Sequence, residues 1–70
     1  MSLADAHMGI DYTIKNIESG DANLENFLFT LGCYSGETVT VISRKKRSLI
    51  MAVKNSRYNI DLELARAILV

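Results

Sequence analysis

The first sustained pattern along the chain is Asp11-Tyr-Thr-Ile-Lys-Asn-Ile17, rich in β-branched and aromatic residues, with Tyr12 and Ile14 two apart. That spacing predicts a strand. Ile17 falls one residue out of phase, so a bulge or the strand's end is expected near Lys15 and Asn16. After Asp21, a favoured N-cap type, Leu24, Phe27, Leu28 and Leu31 recur at i, i+3, i+4 and i+7. They predict a helix over 22–31, about 15 Å long, that buries this stripe against a sheet, and Gly32 suits its left-handed C′ position. Phe29 lies about 140° around from Leu24, off the stripe.

Thr38-Val-Thr-Val-Ile-Ser43 alternates, with Val39 and Val41 on one face, and Leu49-Ile-Met-Ala-Val53 follows after Arg44-Lys-Lys-Arg47. The two runs read as a β-hairpin with a basic tip. The second run is apolar on both faces, which requires cover on both sides. Lys54-Asn-Ser-Arg57 reads as a turn, Tyr58 and Ile60 as the inward positions of another strand, and Asp61 as the cap of a helical turn over 62–66. Residues 68–70 close the chain as a last strand. The predicted fold is mainly β: a small SH3-like barrel of about five antiparallel strands, with one helix between strands 1 and 2 and a helical turn before the last. Closure into a barrel also hides edges that short strands would otherwise expose.

Seventy residues, 49% of them hydrophobic, hold one core and one domain, 1–70. Eight Lys and Arg balance eight Asp and Glu, so the whole chain is neutral. The balance is a cancellation. Residues 1–37 hold one lysine against six carboxylates, a net −5, whereas 38–70 hold seven cations against two carboxylates, a net +5. If the halves occupy different faces, the molecule has an acidic and a basic side, suited to a charged partner or to head-to-tail association with itself. The single cysteine, Cys33, cannot form an internal disulfide, and no secretory leader or membrane span is visible, so a reducing, cytoplasmic setting is expected.

Candidate chemistry is sparse. His7, Cys33, Asp5, Asp11 and Glu37 have no metal-ligand spacing, and the one imidazole lies too near the chain start to serve a triad with any serine. Cys33, just past a helix C-terminus, is read as a half-buried packing thiol. No catalytic residue, metal or cofactor is assigned, and enzyme activity is not expected. Phe29, one helical turn earlier, and Tyr34, within the turn Gly32-Cys-Tyr-Ser-Gly36, are candidate partner-binding aromatics. The competing expectation packs Phe29 beneath the N-terminal segment through Leu3 and Met8. Arg44, Lys45, Lys46 and Arg47 are candidate steering charges. The rival use of that tetrad is phosphate binding, but no aromatic ring is interleaved to stack a base.

Three blocks together resemble the FeoA-like domain family, small cytoplasmic accessory proteins of bacterial ferrous iron uptake. They are Leu3 and Gly9 with Tyr12-Thr-Ile-Lys-Asn-Ile17, then Leu28-Phe-Thr-Leu-Gly-Cys-Tyr-Ser-Gly-Glu37, then Tyr58-Asn-Ile-Asp-Leu-Glu-Leu-Ala-Arg-Ala-Ile-Leu-Val70. Ser35 departs from the family, which often has proline before that glycine. The resemblance implies an SH3-like barrel whose partner is a FeoB-type permease with a cytoplasmic G-protein domain, and a regulatory role through protein contact. Similar domains close iron-dependent repressors of the diphtheria-toxin-repressor type, but this chain has no helical DNA-binding portion. The expected function is a non-enzymatic adaptor of that permease; the chain itself is expected neither to insert in the membrane nor to bind nucleic acid, and homo-oligomerisation is left open. The alternatives are a nucleic-acid-binding barrel using Arg44 to Arg47, and a ferrous-ion carrier depending on His7.

Overall fold

The structure is a computed structural model that describes residues 1–70. Its elements, after a single 3-10 turn at Leu3–Asp5, are β1 (Asp11–Thr13), β2 (Asn16–Ile17), α1 (Ala22–Thr30), β3 (Thr38–Arg44), β4 (Ser48–Val53), β5 (Ser56–Asp61), α2 (Leu62–Ala67) and β6 (Ile68–Leu69). β1, β3, β4 and β5 form one antiparallel sheet in that order, and β2 pairs with β6 in a second. The mainly-β, antiparallel expectation holds, with six strands in place of about five. No helix is long and apolar enough to cross a membrane.

The extra strand comes from the phase break at Lys15 and Asn16. The backbone changes sheet there. The Ile14 N–H donates to the Glu37 carbonyl (2.8 Å), whereas the Lys15 N–H donates to the Leu69 carbonyl (2.7 Å). Ile14 and Ile17, on either side of this change of sheet, are both buried, so the one-residue slip keeps each on the core side.

The core gathers Leu3, Ile14, Leu28, Val39, Val41, Leu49, Met51, Val53, Ile60, Ala65 and Ile68 among its members. β4 alternates cleanly, with Leu49, Met51 and Val53 buried and Ile50 and Ala52 half-buried, so its second face is only partly covered. β3 carries a register shift between Val41 and Ser43, and Ile42 there stays 36% exposed. β4 and β5 join through Lys54-Asn55, both at positive φ (49° and 64°), the two-residue type I′ turn that matches strand twist.

Helix α1 starts as expected. The Asp21 carboxylate accepts from the Asn23 and Leu24 N–H groups, leaving its first turn capped. Its buried face is narrower than the periodicity suggests: Leu28 is fully buried, Leu24 and Leu31 are half-buried, and Phe27 is 49% exposed. The nine-residue helix makes its main element contact with α2 and not, as expected, with a sheet, and Phe27, at the stripe's margin, is left in solvent. Helix α2 is likewise capped, by Asp61 accepting from the Leu64 N–H, and the closing strand spans two residues.

Candidate functional site

The C-terminus of α1 organises the most distinctive surface. The Cys33 N–H reaches back to the Leu28 carbonyl (3.1 Å) and the Gly32 N–H to the Phe29 carbonyl (3.0 Å), a Schellman closure with Gly32 at φ 97°. The closure buries Cys33 beside Leu28 and turns the following residue back over the helix end. Tyr34 therefore stacks on Phe29, with ring centroids 5.9 Å apart and planes 5° from parallel. Phe29 is 37% exposed and Tyr34 49%. The expectation that Phe29 packs under the N-terminal segment fails: Leu3 is buried in a turn packed against α2, and Met8 is exposed in a bridge to Val41.

Two side chains that the sequence did not connect with the aromatics complete the arrangement. From the β4–β5 turn, the Lys54 ammonium lies 5.7 Å from the Tyr34 ring centroid and 2.9 Å from Glu37 Oε1. The Glu37 carboxylate, first by its hydrogen bond and then by its charge, holds that ammonium above the usual lysine range. Lys54 lies seventeen positions after Glu37, so no local signal announces the pair. Gly32 makes room for it, since a Cβ there would sit 2.8 Å from Lys54 Cδ. Ser35 takes part as well: its hydroxyl donates to the Lys15 carbonyl (2.7 Å), fastening the connector to the point where the chain changes sheet.

The basic tetrad divides. Arg44 ends β3, and its guanidinium donates to the Ala4 and Ala6 carbonyls, both at 2.6 Å. It fastens the N-terminal segment to the sheet and is not a free charge, contrary to the expectation of four equivalent cations. Lys45, Lys46 and Arg47 form the exposed loop.

No group of three or more His, Cys, Asp or Glu side chains is placed to hold a metal ion. Cys33 is fully buried, not half-buried, and burial pushes its thiol up to about 11, away from the reactive thiolate. An open cavity between α1 and α2 is lined by Glu18, Asp21, Glu63 and Arg66 among others. Two of its three carboxylates are occupied locally, Asp21 as a helix cap and Glu18 by the Asn16 amide (3.1 Å).

Solved structures match this fold over nearly the whole chain. FeoA of Stenotrophomonas maltophilia, a procaryotic SH3-domain protein complexed with zinc, superposes with a TM-score of 0.90 at 20% identity, covering 100% of this chain and 88% of that one. An iron uptake regulatory protein, FeoA, gives a TM-score of 0.84 at 25% identity over 94% of this chain and 88% of that one. A manganese-dependent transcriptional repressor shares the fold (TM-score 0.88, 17% identity), with 97% of this chain covering 39% of that one. No curated protein matches the sequence. The SH3-like architecture expected from the sequence thus has structural counterparts, and the FeoA domain model matches residues 1–70. The chain belongs to the FeoA domain family, whose members are linked to ferrous iron transport.

Proposed function

We propose that this protein is a cytoplasmic, non-enzymatic regulator of ferrous iron uptake that binds the cytosolic G-protein domain of a FeoB-type permease and adjusts its nucleotide cycle or assembly. The observation that carries this reading is the exposed Phe29–Tyr34 stack, held in place by Lys54 and Glu37 on a member of a ferrous iron transport family. Exposed aromatic pairs that are already ordered lose little entropy on docking and supply much of an interface's affinity. Lys45, Lys46 and Arg47 supply steering charge, which acts chiefly on the association rate and weakens with salt.

Calorimetric titration of the isolated G-protein domain with wild-type protein and with the Phe29→Ala/Tyr34→Ala variant tests the proposal. Two truncated anchors remove roughly 2 kcal/mol or more, so affinity falls by at least about thirtyfold. Undiminished affinity of the double variant, with its circular dichroism unchanged, rules the aromatic patch out as the docking site.

A further inference from the structure

β5 is the one long sheet edge of this fold. β1 has three residues and β2 two, whereas β5 has six, pairs only with β4, and keeps a continuous register with no bulge. Short or bulged edges resist pairing with other chains, and long regular ones invite it. The direction of its free backbone groups follows from the two-residue turn at Lys54-Asn55, which makes Val53 and Ser56 a hydrogen-bonded pair. Alternation then points Tyr58 and Ile60 toward β4, and the Leu62 N–H continues the series by donating to the Arg47 carbonyl (3.2 Å). Arg57, Asn59 and Asp61 therefore direct their backbone N–H groups away from the sheet, as do the carbonyls of Arg57 and Asn59; the Asp61 carbonyl opens α2. All three side chains are exposed, and neither Arg57 nor Asp61 has an ion-pair partner.

We propose that β5 is a self-pairing edge through which two copies of this chain join their sheets antiparallel, related by a two-fold axis through Asn59. In that register each Asn59 N–H donates to the partner's Asn59 carbonyl, and each Asp61 N–H to the partner's Arg57 carbonyl. Arg57 then stands directly across from the partner's Asp61, twice over, on the solvent face, where an unlike pair is stabilising and a like pair is not. Centring the axis on Arg57 or on Asp61 instead sets like charges face to face. A register centred on Asn59 uses all three outward-facing positions and matches charge on both flanks. The isologous contact is closed, so it ends at a dimer and does not propagate. This surface includes neither Phe29 nor Tyr34, so the aromatic docking patch and the β5 pairing stand or fall separately.

Sedimentation equilibrium of the full chain from micromolar to millimolar concentration reads the association directly. The wild type shifts from monomer toward dimer across this range. Arg57→Glu, which puts like charges opposite one another twice, weakens the dimer by roughly tenfold or more, and adding Asp61→Asn, which keeps a capping oxygen for the Leu64 N–H, recovers part of that loss. A positional test does not depend on affinity: with Cys33 buried, Asn59→Cys yields a disulfide-linked dimer under mild oxidation, because residues at the axis sit about 5.5 Å apart, within disulfide reach. Arg57→Cys yields none, since its two copies are about 13 Å apart. A chain that stays monomeric at millimolar concentration, or equal cross-linking of the two cysteine variants, overturns the proposal.

Discussion

Arg44 and Cys33 illustrate how a residue's role is decided by what surrounds it. As part of a run of four cations, Arg44 reads as surface charge, yet its fork closes on two carbonyls 38 and 40 residues earlier in the chain. Planar donors in fixed geometry suit that task, and a lysine cannot reproduce the two-pronged contact. Cys33 is tucked behind the Schellman closure, and desolvation raises its pKa from 9.0 to about 11. A thiol whose folded pKa is raised adds no penalty below the unfolded value. As pH climbs from about 9 toward about 11, the unfolded chain releases the proton and the folded one keeps it, so stability falls across that window. Lys54, also raised, loses its own contribution only at higher pH, above the ordinary lysine value of 10.5. Urea titrations at stepped pH therefore show declining stability above about pH 9, and Cys33→Ala removes only the thiol's share of the slope. Alkylation at neutral pH is negligible in the folded protein and complete in denaturant; equal rates in both states contradict the burial argument.

At the scale of elements, α1 was the most legible part of the chain, because its cap, its periodicity and its terminal glycine are all local signals. Asp21 and Gly32 do what their residue types suggest. Phe27 departs from the pattern because periodicity reports which residues share a face, not how wide a face the neighbouring elements cover. Likewise the Lys15–Asn16 break is visible in the spacing of Ile14 and Ile17, but the change of sheet it marks depends on the Glu37 and Leu69 carbonyls, far along the chain. The aromatic members of the candidate site are close in sequence and were found there. Their Lys54–Glu37 support is not, since it is assembled by tertiary packing. Gly32 links the two levels: it ends α1 and leaves the space that the Lys54 stem occupies. Gly32→Ala puts a Cβ at φ 97° and within 2.8 Å of Lys54 Cδ, which costs about 1–2 kcal/mol by strain at a left-handed position. Lys54 is pushed from its place between Glu37 and Tyr34. Chemical denaturation of Gly32→Ala registers the loss, and a Lys54→Ala background, with the stem gone, returns only the part due to crowding and leaves the cost of the backbone angle.

The whole molecule modifies the charge argument and exposes where its margin lies. The −5 and +5 halves of the chain do not separate cleanly in space. Glu37 of the acidic half pairs with Lys54 of the basic one, and Arg66 lines the cavity that holds Glu18 and Asp21. In the proposed docking, long-range steering is therefore assigned to the Lys45–Arg47 loop and not to a molecular dipole. The two ends of the chain meet: the Val70 N–H donates to the Met1 carbonyl (3.0 Å), Ser2 bridges Leu69, and Arg44 holds Ala4 and Ala6. Within this junction Leu3 has no exposed surface and packs in a turn against α2, which makes the first residues part of the core and not an appendage. A fully buried leucine truncated to alanine costs about 2–5 kcal/mol. A domain of this size has a total stability of roughly 4–10 kcal/mol, so one methyl-bearing branch at the chain's start holds a large share of the margin. At about 4–8 °C per kcal/mol for a small domain, Leu3→Ala lowers the melting temperature by at least about 8 °C. Ala4→Ser, next door but only half-buried, shifts it little. If the N-terminal segment were a loosely attached arm, Leu3→Ala would leave the transition in place, and scanning calorimetry of the two variants separates these outcomes.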